Sequence, residues 1–82
     1  NMTYNIDKQR EIELLSRAYD NLKETKETIE LLDARASNYL LDDKLDNMLI
    51  SLHSDIEKIK KKIDRVLTCK PCKRKQITCY CD

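Results

Sequence analysis

The sequence predicts an all-α protein: a long amphipathic helix or an αα-hairpin that forms a coiled coil and ends in a short cysteine-rich cap. The 82 residues include no glycine, one proline and 38% charged side chains, and the apolar residues are mostly leucine and isoleucine, a composition typical of long helices. Apolar residues recur at alternating steps of four and three, as in coiled coils. All four cysteines lie in the last fourteen residues, beyond this helical pattern.

The first segment, residues 1–39, is predicted to be an acidic amphipathic helix. Its apolar side runs along two lines with a spacing of seven, and Ile12 and Tyr19 extend it. The lines are Leu15, Leu22, Ile29 and Ala36, and Ala18, Thr25, Leu32 and Tyr39. Several members are small and bury little surface. This segment therefore predicts a helix with a modest coiled-coil quality.

Residues 43–68 carry the clearest coiled-coil pattern. If Leu49, Ile56 and Ile63 occupy heptad position a, four further apolar residues occupy position d. The predicted oligomer seam is Leu45, Leu49, Leu52, Ile56, Ile59, Ile63 and Val66. An isoleucine-rich seam favours three or more strands. Because one helix cannot bury its own seam, the sequence predicts self-association, and another protein partner is a further possibility.

The two patterns are out of phase near residues 37–43, where successive d residues are six apart instead of seven. The absence of glycine and proline favours one continuous helix. The phase slip and the polar residues of "SNYLLD" favour a turn, with Asp42 or Asp43 capping the second helix. We expect the continuous helix, with the hairpin as the alternative.

The cap, residues 69–82, contains the pattern C-x2-C-x6-C-x-C, formed by Cys69, Cys72, Cys79 and Cys81. Pro71 is expected to end the preceding helix at or before Lys70. An even number of cysteines in a short chain with a small core favours disulfides, whose connectivity the sequence does not fix. Zinc is an alternative, because four thiolates suit a tetrahedral site. A redox role for "CKPC" is disfavoured, since it follows a helix C-terminus, whose dipole opposes a thiolate.

The heptads followed by "DRVLTCKPC" resemble the coiled-coil oligomerisation stalks of secreted multimers such as the thrombospondin-type and fibrinogen-related proteins. The resemblance covers roughly residues 45–72. It implies an extracellular stalk in which Cys69 and Cys72 tie the strands together.

Several features bear on location. "NMT" fits an N-glycosylation sequon at Asn1, and the start at Asn1 instead of methionine indicates a processed form or a fragment. No run of about eighteen apolar residues occurs, so no membrane span is expected. We therefore predict a secreted glycoprotein.

Charge is divided along the chain. Residues 1–57 carry seven basic and thirteen acidic side chains, whereas residues 58–82 carry nine basic and two acidic. Part of the basic run complements the negative end of the helix dipole. The part beyond the helix could bind a polyanion such as an acidic polysaccharide: Lys70, Lys73, Arg74 and Lys75. Nucleic acid is disfavoured, because only Tyr80 is near enough to offer base stacking.

No catalytic pattern is present, and the protein is not expected to be an enzyme. His53 is expected to be solvated, and no cofactor is predicted apart from the zinc alternative. The predicted function is an extracellular oligomerisation stalk locked by C-terminal disulfides. The alternatives are a small secreted helical protein that binds and inhibits a host or partner protein, and a zinc-bearing coiled coil that binds nucleic acid through its basic tail.

Overall fold

In the computed structural model, which describes residues 6–72, the chain forms two α-helices that pack against each other. Helix α1 spans Ile6–Asp33 and helix α2 spans Asp43–Leu67. Contacts from Lys26 to Glu57 and from Glu30 to His53 show that the helices run in opposite directions. The predicted all-α class is confirmed, in the form of a helical hairpin.

The expected continuous helix across residues 37–43 is wrong. Helix α1 ends at Asp33, and residues 34–42 connect it to α2. Asp42 has extended backbone (φ −89°, ψ 171°), and its carboxylate accepts a hydrogen bond from the Leu45 amide at 2.7 Å. This bond satisfies an amide that lacks a partner at a helix start. The hairpin is more stable than a continuous helix because it buries apolar residues that one long helix would leave in water. The predicted aspartate cap is confirmed at Asp42.

The C-terminal end of α2 agrees with the sequence. The helix ends at Leu67, ahead of Lys70 as the position of Pro71 predicts. Thr68 closes it, because its amide donates to the Arg65 carbonyl (3.3 Å) and its hydroxyl donates to the Asp64 carbonyl (2.8 Å).

The core is a narrow line between the two helices. Ile56 is completely buried near the middle of α2, and Ile29 is buried on α1. Towards the open end of the hairpin, Ile12 of α1 packs against Ile63 and Leu67 of α2. Half-buried residues of α1 surround this cluster: Leu15, Ala18, Tyr19 and Leu22. Such a core covers one side of each helix and leaves the rest to solvent.

Candidate association surface

The structure divides the predicted oligomer seam into two lines. Two of its a residues, Ile56 and Ile63, are buried, and Leu49 is half-buried. The d residues remain exposed: Leu45 (45%), Leu52 (42%), Ile59 (45%) and Val66 (57%). Helix α2 therefore carries a second apolar line that α1 leaves uncovered.

Helix α1 contributes a line of its own to the same side of the hairpin. Leu32 of α1 lines a cleft of about 350 Å³ together with Leu45 and Leu49 of α2. Steps of three and four residues keep to one side of a helix, so the residues in register with Leu32 and with Leu45 share this side. We call the surface the neutral face. It comprises Leu14, Ala18, Asn21, Thr25, Thr28 and Leu32 of α1, and Leu45, Leu52, Ile59 and Val66 of α2.

None of these ten side chains carries a charge. The two threonines are also less polar in effect than their hydroxyl groups suggest. Thr25 donates its hydroxyl hydrogen to the Asn21 carbonyl at 2.9 Å, and Thr28 donates to the Glu24 carbonyl at 3.0 Å. Because each hydroxyl already has an acceptor, covering it with another protein costs less than burying an unsatisfied hydroxyl.

The charged contacts between the helices lie along the other edge of the interface, which we call the polar edge. Lys26 of α1 pairs with the Glu57 carboxylate, and Lys60 Nζ lies 3.9 Å from the same Glu57 oxygen. Lys60 Nζ also lies 5.2 Å from the centre of the Tyr19 ring. The α2 members occupy heptad positions b and e, across the buried a line from position d. The hairpin thus has an ionic edge on one side of its core and the uncharged neutral face on the other, with Asp55 beside Leu52 at the outer border of that face.

The hydrogen bond from Lys26 perturbs the protonation of the central pair. This bond, more than the charges of Lys60 and Lys61, lowers the pKa of Glu57 below its ordinary value. The same bond raises the pKa of Lys26. The folded hairpin therefore favours the charged form of both groups.

His53 keeps part of its exposure to solvent, as expected, and the hairpin also gives it a partner. Its ring is half-buried on the polar edge, and Nε2 lies 3.1 Å from Oε2 of Glu30. Sequence reasoning missed this contact and the Lys26–Glu57 pair, because both join residues that only the hairpin brings together. Spacing within one helix instead suggests that Glu57 pairs with Lys61.

The remaining predicted site residues lie at or beyond the end of α2. Cys69 is buried and Cys72 is half-buried, and within residues 6–72 no disulfide joins them. Lys70 is exposed. The other members lie outside the described residues: Asn1, Lys73, Arg74, Lys75, Cys79 and Cys81. The disulfide, zinc, polyanion and glycosylation hypotheses stay predictions.

Residues 6–72 also bear on metal binding and on membrane spanning. Residues 6–72 contain no cluster of three or more side chains that could hold a metal ion. Neither helix in that stretch is long and apolar enough to cross a membrane.

The cleft at the turn continues the neutral face onto the connection. Leu40 and Leu41 line it beside Leu45, and Arg35 lies at its border. Tyr39 and Leu40 are 88% and 95% exposed. Together with Leu41 and Leu45, which line the same cleft, they form a contiguous apolar patch, and such patches mark interaction sites more often than single exposed residues do.

Comparison with known proteins finds no relative: no protein family, curated protein or solved structure matches this chain.

Proposed function

We propose that this chain is an extracellular association module, a helical hairpin that joins protein chains through the neutral face. The observation that carries the proposal is the line of exposed d residues on α2, which stays uncovered after the hairpin has formed. We also propose that the C-terminal cysteines form disulfides, within one chain or between chains.

The neutral face is large enough for a stable interface. The hairpin is 21 Å wide, and 25 helical residues extend about 37 Å. The side of the hairpin that carries the face therefore measures roughly 800 Å², which is the area that each partner of a standard protein interface buries. Its centre is uncharged, with apolar side chains on α2 and small or short polar side chains on α1, and the centres of interfaces are depleted of charged residues.

The test is to place a charge in the middle of the d line. Leu52→Glu is expected to weaken association by roughly 30-fold or more, because each copy loses apolar burial and must bury a carboxylate. Sedimentation equilibrium measures the dissociation constant. Circular dichroism checks that helix content is unchanged, which we expect because Leu52 lies outside the buried a line.

The matched control is Ser54→Glu, which adds the same charge at an exposed position of α2 outside the neutral face. This variant should associate like the parent chain. If the parent chain is still a monomer at about 1 mM, its affinity for itself is negligible, and the proposal is refuted. Gels run with and without a reductant then show whether disulfides join the chains.

A second candidate function is a secreted binder that blocks a partner protein. The exposed Tyr39 and Leu40 beside the turn cleft favour it, because aromatic and aliphatic side chains at a cleft are typical binding anchors. A monomer with high helix content and disulfides within the chain would favour this candidate over the association module.

A further inference from the structure

We infer that the neutral face binds a second copy of this chain turned end to end, so that two hairpins form an antiparallel four-helix bundle. The inference rests on the proposed function, since it requires association through the neutral face. It adds the partner and the orientation, which follow from the distribution of charge and from the spacing of the face.

Two symmetric arrangements can bring two neutral faces together, because a two-fold axis lies in the plane of such an interface. An axis parallel to the helices places α1 of one copy over α2 of the other and brings the two turns to the same end. An axis perpendicular to the helices places α2 over α2 and α1 over α1. In that case the turn of each copy lies over the open end of the other.

Charge favours the second arrangement. The half of the hairpin that contains the turn, residues 23–57, carries four basic and nine acidic side chains, a balance of −5. The open half, residues 6–20 with 58–70, carries nine basic and five acidic side chains, a balance of +4. The end-to-end arrangement sets the acidic half of each copy over the basic half of the other. With the turns together, like charges would meet at both ends.

The d line of α2 matches itself when it is reversed. Leu45 and Val66 are equally distant in sequence from the midpoint between Leu52 and Ile59. A reversed copy therefore sets Leu45 against Val66 and Leu52 against Ile59, with an apolar residue opposite every d position.

The line on α1 also matches itself. Its outer pair is leucine, Leu14 with Leu32, and its inner pairs are small or short polar residues, all centred on residue 23. The cross-helix contacts of Tyr19 with Lys60 and of Lys26 with Glu57 place this centre within about one helical turn of the α2 midpoint. One two-fold axis can therefore serve both helices.

Asp55 is the charged side chain nearest the midpoint of α2. It occupies heptad position g, at the outer edge of the neutral face, one turn from Lys58 and two turns from Lys62. Because Asp55 lies at the edge, solvent screens the repulsion between the Asp55 carboxylates of the two copies. The Asp55 charges near the two-fold axis therefore do not disrupt the apolar pairs of the d line.

The test is photocrosslinking from Leu45, replaced by benzoylphenylalanine in the otherwise unchanged chain. An equimolar mixture of ordinary and 15N-labelled chains identifies crosslinks between copies by mass. The end-to-end arrangement predicts a crosslink to the tryptic peptide of residues 66–73, since trypsin does not cleave between Lys70 and Pro71. The arrangement with the turns together predicts a crosslink to residues 27–35 of the other copy.

The outcomes separate the two hypotheses. A crosslink between copies to residues 66–73 supports the antiparallel bundle. A crosslink between copies to residues 27–35 or 45–58 overturns the orientation and leaves the association module standing. A chain that sediments as a monomer overturns both. As a second measurement, raising the salt from about 0.05 to about 0.5 M should weaken association several-fold, and unchanged or stronger association contradicts the charge pairing.

Discussion

Glu57 is the residue at which the two helices are tied together by charge. It accepts a hydrogen bond from Lys26 and lies near Lys60 on the polar edge. The contact with Lys26 is not visible from sequence spacing alone, because Lys26 and Glu57 lie 31 residues apart and meet only in the antiparallel hairpin. The heptad pattern predicts which apolar residues lie on one side of the helix, but which ionic side chains pair across the helices depends on where the chain turns.

The Glu57 carboxylate should make stability depend on pH. Its pKa is lower in the folded chain, so it stabilises the fold above the ordinary glutamate pKa of about 4.3. That contribution is lost as the pH falls through the lowered value. Glu57→Gln should therefore lower the melting temperature by a few degrees near neutral pH and have little effect once the parent carboxylate is protonated. Thermal unfolding followed by circular dichroism between about pH 3 and pH 7 measures this.

Glu13→Gln is the matched control, since Glu13 is exposed on α1. It should shift the melting temperature less than Glu57→Gln near neutral pH. Equal effects would contradict the role given to the Lys26 bond. Lys26 behaves in the opposite sense: its pKa is raised, so its contribution is complete below the ordinary lysine pKa of about 10.4 and is lost as the pH rises through the raised value.

At the scale of the elements, the connection 34–42 decides the fold. The absence of glycine and proline removes strong helix breakers, but it supplies no free energy that favours a continuous helix. The hairpin gains the burial of Ile56, Ile63 and Leu67 against α1. Sequence reasoning predicted the cap and the end of α2 because both depend on neighbouring residues. It preferred the wrong connection because the burial that decides between the two forms depends on residues far apart.

The start of α2 gives a test of that connection. Asp42→Ala removes the carboxylate that accepts from the Leu45 amide, and loss of such a cap costs about 1 kcal/mol of stability. Asp43→Ala is the control, because Asp43 is already helical and its charge acts only through the helix dipole, about 0.5 kcal/mol. Urea unfolding should show the larger loss for Asp42→Ala. A larger loss for Asp43→Ala would place the cap elsewhere.

At the scale of the whole molecule, folding changes the arrangement of two features of the sequence, the heptad seam and the division of charge. The heptad seam becomes a buried a line and an exposed d line, and only the second remains for other chains. The acidic and basic segments become the two ends of a hairpin, which gives an end-to-end contact a preferred direction. Both depend on the turn, so the sequence predicts self-association but not the surface or the orientation that would carry it.

The antiparallel bundle makes a prediction about the cysteines. With the two-fold axis near the middle of α2, the two copies of Cys69 lie about 40 Å apart, whereas a disulfide requires Cα atoms within about 7 Å. No bond between one Cys69 and the other should form within the pair, and the pair should survive reduction. Peptide mapping of the unreduced protein, with sedimentation before and after reductant, tests this. A Cys69–Cys69 bond within the sedimenting pair would show that the open ends lie together, as a parallel disulfide-tied stalk would require.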